Sequence, residues 1–118
     1  FNKTLYCSKI VLYVHYMNDD EKKQVYLNIL RKINSDKDVS QRGLARDLGF
    51  SLGKLNYCLR ALKAKGYVKI KNFQQNPNKL NYVYILTPKG ISQKTQLTMS
   101  FMKKKMQEYD ELKKELNK

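Results

Sequence analysis

The chain has 118 residues, 42% of them hydrophobic, and carries 24 Lys and Arg against 10 Asp and Glu, a formal charge of +14. That length makes one domain with at most one appended element, and that apolar fraction excludes a wholly disordered polymer. The basic excess points to a polyanionic partner.

The first 18 residues read differently from the rest. KIVLYVHYM (9–17) is apolar or aromatic but interrupted by His15, and it falls far short of the roughly 20 residues a membrane span needs. With no small-residue cleavage site, a signal peptide is not expected. Met17-Asn18-Asp19-Asp20 reads as a protein start followed by a helix N-terminus, where acids favour the dipole. Two expectations stay open for residues 1–16: an added extension, or a strand or helix that covers the core through Ile10, Leu12 and Val14. His15 is the only histidine and reads as structural or surface. Cys7 and Cys58 are too few and too far apart for a disulfide framework or a zinc site, so a reducing, cytoplasmic setting is expected.

From Asp20 to Asn34, Tyr26, Ile29, Leu30 and Ile33 recur at i, i+3, i+4, i+7, which predicts an amphipathic helix with that face inward. A polar loop, SDKDV (35–39), follows. Ser40 is the expected N-cap of a short helix in which Leu44 and Leu48 share a face and Ala45 lets another helix approach. Gly43 occupies the N3 position, where a Glu would complete a capping box, and a helix-interior Gly costs about 1 kcal/mol against Ala.

Gly49 supplies a left-handed residue to end that helix, and Ser51 caps the next one just beyond it. Phe50 and Leu55 at N′ and N4 predict an apolar staple. Leucines stand at 52, 55, 59 and 62; Leu55, Leu59 and Leu62 are expected to pack inward, and Gly66 ends the helix. A scaffold helix, a Gly turn and a second helix with one face free is helix-turn-helix order. Cys58 lies beside the leucine stripe, where packing is expected over redox sensing.

YVKIKNF (67–73) alternates Val68 and Ile70 with Lys69 and Lys71, and LNYVYILT (80–87) is aromatic and β-branched. Together they predict a hairpin with the polar tip QQNPNK (74–79). Thr87-Pro88 is an N-cap followed by Pro at N1. The helix it opens is expected to reach about Leu116, about 42 Å at 1.5 Å per residue, longer than one small core can cover. Along it Met99, Met102, Met106, Tyr109, Leu112 and Leu116 approach a coiled-coil seam, and such a stripe needs a partner. The expected architecture is mainly α with a small β-hairpin wing: a winged helix-turn-helix over 19–90 and a C-terminal dimerisation helix over 91–118.

The charge sits mid-chain. Residues 40–90 hold ten basic residues and one acid, Asp47, whereas 19–39 balance five against five. On the free face of the 51–65 helix, Ser51, Gly53, Lys54, Asn56, Tyr57 and Arg60 project from the first three turns, the part that enters a major groove. Arg and Lys suit guanine O6/N7, and Asn suits adenine. Arg42, Arg46, Lys69 and Lys71 suit phosphates, and Asn76, Asn78 and Lys79 stand at the wing tip for phosphate or a minor-groove edge. The alternative is a solvated polar face; the absence of acid on it argues against that, since exposed helices ordinarily mix both signs.

No phosphate loop, metal-ligand spacing or apolar carboxylate pair occurs, so no catalytic residue, metal or cofactor is expected. Nine tyrosines suggest a ligand pocket, but Tyr26, Tyr67, Tyr82 and Tyr84 fall at core or strand positions where packing accounts for them. No small-molecule effector is identified.

The segments LARDLGFSLGKLNYCLRALKAKGYVK (44–69), NFQQNPNKLNYVYILTPKG (72–90) and ISQKTQLT (91–98) resemble the MarR-type winged helix-turn-helix regulators of bacteria. Within them the chain is most similar to the small EPS-associated branch, linked to exopolysaccharide loci, over about Asp19 to Glu115. The resemblance implies a homodimer that binds double-stranded DNA sequence-specifically and regulates exopolysaccharide-synthesis genes. The pattern departs at the wing: such regulators usually carry an Asp-x-Arg whose Arg enters the minor groove, and this tip reads Gln74-Gln75-Asn76-Pro77-Asn78-Lys79. Two other classes compete. One is a winged-helix protein-interaction module docking through its tail. The other is a single-strand packager, for which the wing offers too little stacking surface.

Overall fold

The computed structural model describes residues 17–35, 39–71 and 82–118. The alternatives for residues 1–16, and the wing tip, lie outside them. The elements in order are α1 (Asp19–Ser35), β1 (Val39–Ser40), α2 (Gln41–Leu48), α3 (Leu52–Ala64), β2 (Val68–Lys71), β3 (Val83–Leu86) and α4 (Pro88–Leu116).

Side chains set where the helices begin. Asn18 Oδ1 accepts from Glu21 N at 2.7 Å, ahead of three acids in the first turn of α1. Ser40 Oγ accepts from Gly43 N and Ser51 Oγ from Lys54 N, both at 3.1 Å. Thr87 Oγ1 accepts from Gly90 N at 3.0 Å, with Pro88 opening α4. The caps at Ser40, Ser51 and Thr87 stand where the sequence placed them.

The core lies among α1, α2, α3 and the sheet. Ile29, Leu30, Leu44, Leu55, Leu59, Leu62 and Val68 are almost wholly buried, each such side chain contributing about 1.5–3 kcal/mol. Leu27 is buried and Tyr26 only half-buried, so the inward face of α1 is wider than its i, i+3, i+4 stripe. The reason is that α1 packs against α2, β3 and α4 at once.

One expectation is corrected. The polar segment 35–39 does not remain loop to its end, because Val39 is buried and pairs with Tyr84, making β1 a third strand. The sheet runs β1-β3-β2, antiparallel throughout, with Val68 opposite Leu86 and Ile70 opposite Tyr84. A two-residue strand is too short to show alternation, so only tertiary pairing reveals it. Buried Gln41 is satisfied beside it, its Oε1 accepting from the Tyr84 hydroxyl at 3.3 Å.

α4 runs 29 residues unbroken, about 43 Å. Its start is locked to the end of α3: Thr87 Oγ1 donates to the Gly66 carbonyl, Thr87 N donates to Tyr67 O at 3.1 Å, and buried Gly90 lies against the Tyr67 backbone. Leu97 is buried and Phe101 packs on the core; every residue beyond Phe101 is exposed.

Candidate nucleic-acid interface

The turn between α2 and α3 fixes how α3 is presented. Gly49 adopts φ 70°, Phe50 N donates to Ala45 O at 2.9 Å, and the half-buried Phe50 packs on the core one residue before the Ser51 cap. Leu55, Cys58, Leu59 and Leu62 then bury one side of α3. At 3.6 residues per turn the opposite side carries Gly53, Tyr57 and Arg60, flanked by Lys54 and Asn56, and among these there is no acid.

Not all of these side chains are equally available. Arg60 is exposed, Gly53 and Asn56 are half-buried, and Ser51 is exposed with its hydroxyl engaged as the cap. Tyr57 is half-buried and packs against the core, so it projects less than the periodicity implies. Lys54 is half-buried, with Nζ 4.1 Å from the Phe50 ring centroid, a cation–π contact that holds the chain in place. The sequence missed Leu52, which is 40% exposed in the first turn of α3. It stands seven residues before buried Leu59, on the same side of α3, so the helical period gave no signal of its exposure.

The phosphate candidates lie on α2 and β2, elements that pack against α3. Arg42 and Arg46 are exposed in the first and last turns of α2, and Lys69 and Lys71 are exposed on alternate positions of β2. Asp47 carries the only acidic group near them in sequence, 3.7 Å from Arg46 Nε and 3.9 Å from Lys32 Nζ. Contacts this long and exposed contribute about 0–1 kcal/mol and do not hold Arg46 from a phosphate. Asn76, Asn78 and Lys79 lie outside the described residues.

Burial pushes the Cys58 thiol up from 9.0 to about 11, with nearby Lys54 pulling weakly the other way. A thiol raised in the folded state contributes stability in full below the unfolded value and loses it as pH rises from about 9 through 11. Alkylation by iodoacetamide at pH 8, read by peptide mass mapping, is expected to be at least about tenfold slower at Cys58 in the native protein than in urea. Equal rates would place the thiol at the surface.

A pocket of about 190 Å³ opens between α1, α3 and α4, lined among others by Tyr26, Leu30, Lys65, Tyr67 and Leu97. Among the described residues no group of ligating side chains could hold a metal ion, and no helix is long and apolar enough to cross a membrane.

Residues 27–69 match the family described as winged helix-turn-helix DNA-binding, a span from α1 into β2. The structure resembles Staphylococcus aureus MarR in complex with salicylate and kanamycin, with a TM-score of 0.67 at 17% identity, covering 93% of this chain and 77% of that one. The fold is a winged helix-turn-helix.

Other structures share this winged helix-turn-helix. The multiple antibiotic-resistance repressor of Listeria monocytogenes aligns with a TM-score of 0.58 at 17% identity, over 92% of this chain and 69% of that one. A single-residue variant of S. aureus MepR, bound to an oligodeoxyribonucleotide, gives 0.58 at 16% identity, over 97% and 84%. No curated protein matches the sequence. In this winged helix-turn-helix α2 and α3 are the paired helices, β2 and β3 the stem of the wing, and α4 the tail.

Proposed function

We propose that the protein is a homodimeric transcriptional regulator of the MarR type that binds double-stranded DNA sequence-specifically in the cytoplasm. The observation that carries this reading is the acid-free face of α3, opposite four buried side chains, with Arg42, Arg46, Lys69 and Lys71 exposed on the elements packed against that helix. In this reading Arg60, Lys54 and Asn56 read base edges, Leu52 offers the apolar contact that suits a thymine methyl, and the surrounding cations meet phosphates. Gly53 lets the α3 backbone come close to the groove, Ser51 and Tyr57 border it, and Asn76, Asn78 and Lys79 contact the neighbouring backbone or minor groove from the wing tip. Two copies of α3 would enter successive major grooves about 10 bp apart, joined through the α4 stripe.

The relation to exopolysaccharide-synthesis genes rests on the resemblance to the EPS-associated branch over about Asp19 to Glu115, and a regulated operator upstream of such genes is its test. The DNA-bound MepR variant supports the use of this fold on DNA.

Selection of random duplexes by the purified protein at about 150 mM salt, where non-specific phosphate attraction is screened, is expected to enrich an inverted repeat. An unenriched pool would leave an electrostatic surface and favour a module that docks other proteins through α4. On the selected site Arg60→Ala is expected to cost about 1–3 kcal/mol and relax preference at one position. Equal losses on selected and random duplexes would make Arg60 a phosphate contact.

A further inference from the structure

We infer that the second copy packs on α4 antiparallel, with the two-fold axis passing between Gln107 and Glu108, an arrangement that rests on the homodimer reading above. Among the described residues every exposed large apolar side chain except Leu52 lies on α4, and from Met99 to Leu116 these are 58–86% exposed. Met102 and Met106 sit about half a helical turn from Leu97, which faces the core. Lys104 marks the same inner side, its Nζ 3.0 Å from Asp20 Oδ2 on α1. Among the described residues, then, none of the chain's own elements covers the stripe.

Charge selects the direction. Met99, Met106 and Lys113 follow one another at spacing seven, which puts Lys113 in the seam. A parallel pair would stack the two Lys113 ammonium groups on each other across the axis. The antiparallel pair instead lays the Lys113 stem along Met102 of the second copy and frees its ammonium to solvent. In the same register Met106 meets Tyr109, Met99 meets Leu116, and Lys103 on the flank comes beside Asp110, twice by symmetry. A parallel pair would also bring Lys105 beside Asp110, so flank pairing alone does not choose; Lys113 does.

The spacing fits the proposed operator. In this register the two Leu97 anchors are 21 helical positions apart, about 31 Å along the axis, near the roughly 34 Å between successive major-groove faces. A parallel pair would leave both anchors at one level.

Variants with one added cysteine test this, since both positions are exposed and circular dichroism verifies that each variant folds. Met102→Cys and Lys113→Cys proteins are mixed, oxidised and compared with the unmodified chain, whose own Cys7 and Cys58 serve as background. The expected result is a disulfide dimer between the two different variants and none above background from either alone. Self-linking of Met102→Cys would establish the parallel pair and overturn the inference. So would a dimeric mass by light scattering with neither link, or a monomeric mass. The duplex selection separates the two readings: a monomer that enriches a half-site leaves DNA reading intact, and a mixed link without enrichment leaves the arrangement intact.

Discussion

Met106→Lys combined with Leu112→Lys is expected to convert the protein from dimer to monomer and to weaken binding to the selected inverted repeat at least about 100-fold, the usual scale of lost bivalency. In the single chain both side chains lie in water, 63% and 67% exposed, so the substitutions remove no packing from the domain. In the paired register the ammonium at 106 faces Tyr109 of the second copy without a partner, and burying an unpaired charge is strongly unfavourable, while the one at 112 removes apolar area on the flank and stands beside lysines of the second copy. Light scattering reads the mass and circular dichroism checks that helix content persists. A double variant that remains dimeric would place the interface elsewhere than on this stripe.

Gly90→Ala is expected to destabilise the domain by about 1–3 kcal/mol, the cost of overpacking a tight contact. For a chain of this size that lowers the melting temperature by about 5–20 °C. A Cβ at this position would collide with the Tyr67 carbonyl, which belongs to backbone already held by the Thr87 amide. Relief requires α4 to lift from the end of α3, so DNA affinity should fall with stability while the α4 stripe keeps the dimer. Ser92→Ala, exposed on the next turn of the same helix, is the control and should leave the melting temperature unchanged. An unaltered melting temperature in Gly90→Ala would mean the joint is loose.

Much of the fold was legible because its signals are local. Ser40, Ser51 and Thr87 act within three residues of themselves, and each caps the helix expected of it. Leu55, Leu59 and Leu62 needed only the helical period to be placed inward. The alternation of Val68 and Ile70 with Lys69 and Lys71 likewise predicted which side of β2 is wet. The candidate interface was legible as a set of residue types, basic and amide groups on one acid-free face. Its availability was not, since the packing of Tyr57 on the core and the Lys54 contact with Phe50 depend on neighbours that no period encodes.

Charge balance, caps, turn glycines and apolar spacing are properties of neighbours along the chain, and from them the sequence by itself determined the helix order, the basic face and the stripe on the tail. Only the tertiary structure decided that Val39 joins the sheet, that Leu27 is buried, that Leu52 is left in water, and that Gly90 is pinned to the Tyr67 backbone. Each of those outcomes is set by contact between segments far apart in sequence, where burial and steric exclusion override what local propensity can specify.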